Sequence, residues 1–403
     1  MEKKILIIDF IYPFPENIGR KMRTMNFVRF FKKYGTLDLL YFYDQSKEVD
    51  DPGIFTNEYL IQYRGYQEKK LFQTIKGRWK RILERRPWLI RDWPPNQLKK
   101  IIDIMMNGKY DIIFCRYILD TYPLFNLPLK LKKRVILDFD DIFSEGGIFD
   151  SRVKYGSHGY DKLRNNLQKY LLVQYEKKCL NFGAALFVSK YDLKKVAGFK
   201  ETNNTFVVPN IYPANMSFDE ECGDGYPKRN TYLFIGTLNY GPNIEGLKWF
   251  IDTVFKNGKN GRKNETLLVV GRNPSDKVVE ICRSENNIEL HSNVPDVKPY
   301  YEQCGIVVVP ILTAGGTRIK ILESGVAGRP VLSTPMGAFG LDVEDGKELL
   351  LFSDRNSFDE SINKLNDKEL YDSLIRNMKN LVKDLYSPDS FNAKMEEVIK
   401  SFL

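Results

Sequence analysis

The stretch GIVVVPILTAGGTRIKILESGVAGRPVLSTP, residues 305–335, sets the architecture. The β-branched run 305–311 suits a strand buried on both faces, and it enters a Gly-Gly loop at Gly315 and Gly316. A helix is predicted from about Thr317 to about Gly328, after which Arg329-Pro330 returns the chain to a second strand, 330–334. Strand, loop, helix and strand in that order make the repeating unit of a parallel sheet covered by helices. Small residues at the turn let a ligand approach the backbone, and the free N–H groups of the first helical turn favour a phosphate. Lys320 and Glu323 stand three apart, on nearly one helix face. A phosphate contact for the first and a hydroxyl contact for the second fit a sugar nucleotide; a plain surface ion pair between them is the alternative.

Outward from this unit the same cycle recurs. Strands are predicted at KKILIID near the N-terminus, 37–43, 111–115, 134–139, 184–189 and 205–209, and again at 231–236, 266–271, 288–292 and 348–352, with helical stretches between most of them. A polar stretch at 217–230, containing Gly and Pro, reads as a linker before a second cycle. The expectation is two doubly wound domains, 1–212 and 213–385, followed by a helix over 386–403 with apolar residues at Phe391, Met395, Val398 and Phe402. In such sheets ligands bind at the carboxyl ends of the strands, so the strand-to-helix loops are where chemistry is sought.

Composition narrows the classes. With 403 residues, 43% of them hydrophobic and 28% charged, the chain is an ordinary globular one. No stretch approaches the roughly 18 apolar residues of a membrane span, and the N-terminus lacks a cleavage site, so a cytoplasmic protein is expected. Five cysteines without a C-x-x-C pair, and only two histidines, argue against a disulfide framework and a Cys/His zinc site. The first 212 residues hold 38 Lys and Arg against 24 Asp and Glu, a net +14, whereas the remainder is −5. Nine of the basic residues and three tryptophans fall in 76–100, a composition suited to an anionic membrane surface; no nucleic-acid-binding fold accompanies it, so no nucleic-acid partner is expected.

Together, the run PILTAGGTRIKILESGVAGRPVLSTPMGAFGL, VVPN at 207–210, FIGTLNYGPNIEGLKWF at 234–250, VVGRNPS at 269–275 and HSNVPDVKPYYEQCGIVVVP at 291–310 resemble family 4 (group 1) retaining glycosyltransferases. The resemblance implies the GT-B fold: two facing Rossmann-like domains, the first for the acceptor and the second for a nucleotide-sugar donor, with the C-terminal helix crossing back to the first domain. It implies that Glu323 is the second glutamate of the family's paired-glutamate motif, on the donor ribose. The first would fall at position 315, where this chain has Gly315. After Gly236 the family usually carries an Arg and a Lys for the diphosphate; here stand Thr237, Leu238, Asn239 and Asn243. Arg318 and Lys320 are the replacement candidates, in the first helical turns where charge and helix dipole act on one anion, and Arg272 after Gly271 is a third. Val294 opens the loop that resembles the family's main-chain holder of the base.

In the first half, Asp138, Asp140 and Asp141 end a strand. Asp138-Phe139-Asp140 has the D-x-D form of a metal site. Since the donor motifs imply a metal-independent fold, Asp140 or Asp141 is assigned instead to orienting an acceptor hydroxyl. Gly19, Arg20 and Arg23 resemble the family's first loop and helix; Arg116 after its strand and His158 in a Gly-flanked loop complete the acceptor-side candidates, with solvated surface roles as their alternatives. The sequence reads as a retaining hexosyltransferase-like enzyme of cell-surface polysaccharide or glycoconjugate synthesis, with a glycan or lipid-linked glycan acceptor, peripheral on the inner face of the plasma membrane through 76–100, and with neither cofactor nor metal. The other readings are a non-hydrolysing nucleotide-sugar epimerase and a non-catalytic partner that binds nucleotide sugar; a nicotinamide dehydrogenase is disfavoured because DFIYPFPENIG lacks G-x-G-x-x-G. Transfer activity is expected to survive EDTA, and a strict need for Mn²⁺ would restore Asp138 and Asp140 as metal ligands.

Overall fold

The computed structural model of the chain describes residues 2–16, 18–43, 53–63, 81–144, 159–198, 203–213, 216, 230–256, 264–313 and 316–402. The chain divides into two compact units, Met1–Pro209 with Asn392–Leu403, and Asn210–Phe391. Most of the expected linker, 217–229, lies outside the described residues.

The first unit is built on seven strands: β1 (Lys3–Ile11), β2 (Gly35–Tyr43), β3 (Asn57–Leu60), β4 (Ile112–Arg116), β5 (Val135–Asp138), β6 (Ala184–Phe187) and β7 (Thr205–Val207). Their order is β3-β2-β1-β4-β5-β6-β7, and all pairings are parallel. The second unit holds β8 (Thr231–Ile235), β9 (Thr266–Gly271), β10 (Ile288–Ser292), β11 (Ile306–Val309), β12 (Val331–Ser333) and β13 (Leu350–Leu351), in the order β10-β9-β8-β11-β12-β13 and again parallel. The doubly wound class expected from the sequence is thus present in both units. Every residue of β4, β5, β8 and β11 is buried, which is why these strands read as unbroken apolar runs rather than as alternation. Strand order reverses between β1 and β4 in one sheet and between β8 and β11 in the other, and such switch points are where ligands bind in open parallel sheets, at the carboxyl ends of the strands.

Local chemistry sets the helix starts. Ser189 accepts from the Asp192 N–H at 3.1 Å, Thr334 from Gly337 at 3.1 Å, and Asp354 forms a reciprocal pair with Ser357. The helix of the 305–335 unit is shorter than expected, Ile319–Val326, with Arg318 as its extended N-cap and Gly328 in the left-handed turn that ends it (φ 63°). Among the described strands, β3 alone has no counterpart in the sequence reading, because NEYL is four residues long, half exposed and without an apolar run.

The last helix, Pro388–Phe402, buries Phe391, Met395, Val398 and Ile399. Its Asn392–Leu403 portion belongs to the first unit, where Tyr34 donates to Glu396 at 2.6 Å and the Phe402 ring lies against Gly183. Among the described residues no helix is long and apolar enough to cross a membrane. Met395→Ala is expected to lower unfolding free energy by about 2–5 kcal/mol, while Lys394→Ala on the exposed face stays within about 0.5 kcal/mol; chemical denaturation of the whole chain measures both.

Candidate functional site

In the second unit the carboxyl ends of β8 and β11 fix the geometry. A β-carbon at Gly271 would lie 1.8 Å from the Gly236 carbonyl oxygen, so the loops after β9 and β8 approach each other only because position 271 is glycine. The Gly236 N–H is held by Val270 at 3.0 Å and the Leu238 N–H by the Arg272 carbonyl at 2.8 Å. This pinned loop leads into the helix Gly241–Trp249, whose buried Asn243 donates from Nδ2 to the Thr237 carbonyl at 2.9 Å.

Lys320 reaches this loop from the helix Ile319–Val326. Its ammonium donates to Asn243 Oδ1 at 3.2 Å, lies 4.9 Å from the centre of the Phe234 ring, and stands 3.0 Å from where a Gly236 β-carbon would be. Among the described residues no carboxylate lies within ion-pair reach of it, so the expected alternative, a surface Lys320–Glu323 pair, is not formed. Burial and then the neighbouring Arg318 charge push the Lys320 ammonium down to about 7, against the weaker pull of Glu323. Glu323 instead accepts from the Tyr301 hydroxyl at 2.9 Å. Burial raises its carboxyl above the ordinary range, opposed by the Tyr301 hydrogen bond and Lys320. Tyr301 was not a sequence candidate: it lies 22 residues away on the helix Lys298–Gln303, and only the fold brings it to Glu323.

The other second-unit candidates border the same edge. Gly316 takes a left-handed conformation (φ 70°) before Thr317, whose hydroxyl accepts from Asn210 at 2.9 Å. Arg272 is exposed at the end of β9, and Val294 packs partly buried after β10. Gly315 lies outside the described residues. The structure therefore gathers Gly236, Thr237 and Lys320 around one strand-end loop, with Arg318, Thr317 and Gly316 at the start of the same helix and Glu323 further along it on Tyr301.

In the first unit the strand-end charges are consumed by one another. Arg23, 2% exposed, grips Asp138 through Nε at 3.0 Å and Nη2 at 2.7 Å, and also donates to the Val208 carbonyl. Arg116 is wholly buried and donates to Asp138, to Asp140 at 3.2 Å and to Thr24 at 3.1 Å. Arg116 and Asp138 are partners in the β4–β5 register, which points the two ends at each other. This corrects the acceptor-side assignment of Arg23 and Arg116: neither guanidinium is presented to a ligand, and both support carboxylates. Both oxygens of Asp138, the first residue of the D-x-D pattern, are taken by arginines. Burial works to raise Asp140, but the charges of Arg116 and Arg23 outweigh it and hold its carboxyl below the ordinary range. Asp140, 13% exposed with a left-handed backbone (φ 57°), is thus an anion able to accept from a hydroxyl, and Asp141 beside it is half-buried. Arg20 pairs with buried Asp9 and lays its guanidinium 4.2 Å from the Tyr117 ring centre, leaving 23% of its side chain exposed. Gly19 begins the helix Gly19–Lys32, and His158 lies outside the described residues.

The basic 76–100 segment is less cationic than its composition implies. Residues 76–80 lie outside the described residues; beyond them Arg81 and Arg86 are bound to Asp92, and Arg91 to Asp120. Trp93 is buried, whereas Ile82, Leu83 and Trp88 are exposed.

Comparison with known proteins follows this division. Residues 229–368 match the family described as Glycosyl transferases group 1. An uncharacterized 44.6 kDa protein in the cps region of Klebsiella pneumoniae is 22% identical over 382 residues, covering 88% of this chain and 89% of that protein. Among solved structures, sucrose-phosphate synthase from Thermosynechococcus elongatus aligns with a TM-score of 0.64 at 15% identity, over 99% of this chain and 98% of that one. Anabaena HepE in complex with UDP and glucose aligns at 0.59 and 13% identity, over 99% and 100%. At these identities the two structures establish the fold, which is GT-B.

Removing Arg116 leaves Asp138 buried with half its counter-charge, so Arg116→Met is expected to cost about 3–5 kcal/mol in denaturant unfolding. Tyr301→Phe is expected to raise the Glu323 pKa further, read by carbon-detected titration of the glutamate carboxyls.

Proposed function

We propose that this chain, whose residues 229–368 match the group 1 glycosyltransferases, moves a sugar from a nucleoside-diphosphate sugar to a hydroxyl of a glycan or lipid-linked glycan. The observation that carries the reading is the Lys320 ammonium, half-buried and with no carboxylate in ion-pair reach among the described residues, held at the end of β8 beside the Gly236 loop. A cation fixed at a strand end in this way is suited to a ligand that brings negative charge. Lys320 and Arg318 stand where the family's basic pair is absent, and the first turn of the helix Ile319–Val326 adds its dipole on the same side. Glu323, held by the Tyr301 hydroxyl, is the residue we assign to the ribose hydroxyls.

In this reading the bond from the anomeric carbon to the diphosphate oxygen breaks as the bond to the acceptor oxygen forms. A donor phosphate oxygen receives the acceptor proton, and the sugar keeps its anomeric configuration. The protein contributes position and charge: Lys320 and Arg318 neutralise the departing diphosphate, and within the first unit Asp140 and Asp141 are the candidates for an acceptor hydroxyl. No metal is required, since the cations of the helix start take its part. The cps-region relative supports a surface-polysaccharide setting, and HepE, solved with UDP and glucose, supports a uridine nucleotide as the first donor to try. Exposed Ile82, Leu83 and Trp88, with exposed Arg85 in the same stretch of chain, support a contact with an anionic membrane.

Lys320→Met separates function from stability. With the folded-state pKa near 7 and the unfolded value near 10.5, the unfolded chain binds more protons between those pH values, so stability attributable to this group rises with pH across that window. The charge therefore costs most below pH 7. Lys320→Met is expected to raise unfolding free energy at pH 7 by on the order of a few kcal/mol, with little gain near pH 10.5, while abolishing nucleoside-diphosphate binding in calorimetry. Unchanged binding would overturn the reading.

A further inference from the structure

Thr317 ends the loop that Gly316 turns, one residue ahead of the extended N-cap Arg318. Two neighbours hold its half-buried side chain. Gly340, left-handed at φ 84°, brings its backbone against the methyl: a β-carbon at position 340 would lie 3.2 Å from Thr317 Cγ2. The Asn210 amide donates from Nδ2 to Thr317 Oγ1 at 2.9 Å, from 107 residues away in sequence. Asn210 is itself anchored, because Ile211 and Tyr212 after it are buried and the Tyr212 N–H bonds to the Tyr386 carbonyl at 3.2 Å. Tyr212 and Tyr386 share one apolar cluster with Ile321 and Leu322 of the helix Ile319–Val326, so the amide and the helix start are fixed to the same core.

A threonine hydroxyl carries one proton and two lone pairs. Since Thr317 Oγ1 accepts from Asn210, its proton is directed away from the amide, and among the described residues no acceptor takes it. Neighbouring hydroxyls show the usual outcome: Ser324 donates to the Lys320 carbonyl at 2.6 Å, and Thr334 donates to the Ile311 carbonyl. Thr317 differs because it precedes the helix in a loop, with its oxygen already committed as an acceptor.

We propose that the Thr317 hydroxyl donates its proton to a diphosphate oxygen of the donor nucleotide, and that Asn210 is a positioning residue which, by occupying an Oγ1 lone pair, reserves that proton for the ligand. This role rests on the donor-site reading above and adds to it a neutral, directional donor beside the cations Lys320 and Arg318. A hydrogen bond from a hydroxyl to a phosphate oxygen is charge-assisted, hence stronger than one between neutral groups. An ammonium attracts an anion as a point charge with three rotatable donors and tolerates many orientations of it. A hydroxyl whose oxygen and methyl are both engaged tolerates few, so Thr317 selects among orientations of the diphosphate that the cations alone would accept. Thr317 makes and breaks no covalent bond in this role.

The test is a double-mutant cycle read by calorimetric titration of the whole protein with UDP, with thermal melting as the check of folding. Thr317→Val keeps the methyl against Gly340 and deletes the proton; it is expected to melt as a folded protein and to bind UDP about tenfold or more weakly. Thr317→Ser, which restores the hydroxyl, is expected to bind close to wild type. Asn210→Ala is expected to weaken UDP binding in the wild-type background and to change nothing further in Thr317→Val, since the amide acts through the hydroxyl. If Asn210→Ala fails to fold, Asn210→Ser takes its place in the cycle with the same expectation. Three results would each overturn the proposal: equal UDP affinity of wild type and Thr317→Val, a loss at Thr317→Ser as large as at Thr317→Val, or an effect of the position 210 variant that is the same in both backgrounds, nil included. All three leave the donor-site reading intact, because Lys320→Met decides it separately. No binding of UDP, GDP, ADP or dTDP by wild-type protein would overturn both.

Discussion

A strand covered on both faces has no room for an uncompensated charge along its length, and this constraint confines the polar chemistry of both sheets to their carboxyl edges. The two edges resolve it differently. At the first, Asp9, Asp138 and Asp140 face Arg20, Arg23 and Arg116, so that anions and cations compensate one another inside the protein. At the second, Lys320 is met by an amide oxygen, a ring face and a glycine, with no carboxylate in ion-pair reach among the described residues. The charges of the first edge are thus paired internally and that of the second is not, although similar topology underlies both.

The parallel strands were legible because burial on both faces writes itself as unbroken apolar runs, as in IIFCR, TYLFI and IVVV. Strand β3 escaped because a polar edge strand carries no such run. Lys320 and Glu323 could be placed on one helix face from spacing alone, yet their partners could not: Tyr301 and Asn243 arrive from other helices, 22 and 77 residues away. A residue of Asn243's type, just inside a helix that follows a glycine loop, was the available signal, and it read as a missing cation rather than as the support of another. Arg116 and Asp138 show the converse. Each ends a buried strand, and adjacent strands of matched register bring such ends together, so that a pair seen separately as two ligand contacts proves to be one internal salt bridge.

The basic excess of the first half illustrates why composition overstates surface charge. Arg81, Arg86 and Arg91 are bound to Asp92 and Asp120, so counting residues along 76–100 counts cations that the folded chain has already neutralised. What composition reports correctly is the supply of guanidinium groups; whether they face water depends on carboxylates elsewhere in sequence.

The placement of Asn392–Leu403 in the unit that also contains the N-terminus has a bearing on biosynthesis. In synthesis from the N-terminal side, the strands of that unit precede the whole of the second unit, and Asn392–Leu403 comes after both. Until then the Tyr34 hydroxyl is without Glu396 and the Gly183 turn without the Phe402 ring, so two tertiary contacts of the first unit depend on residues made after the second.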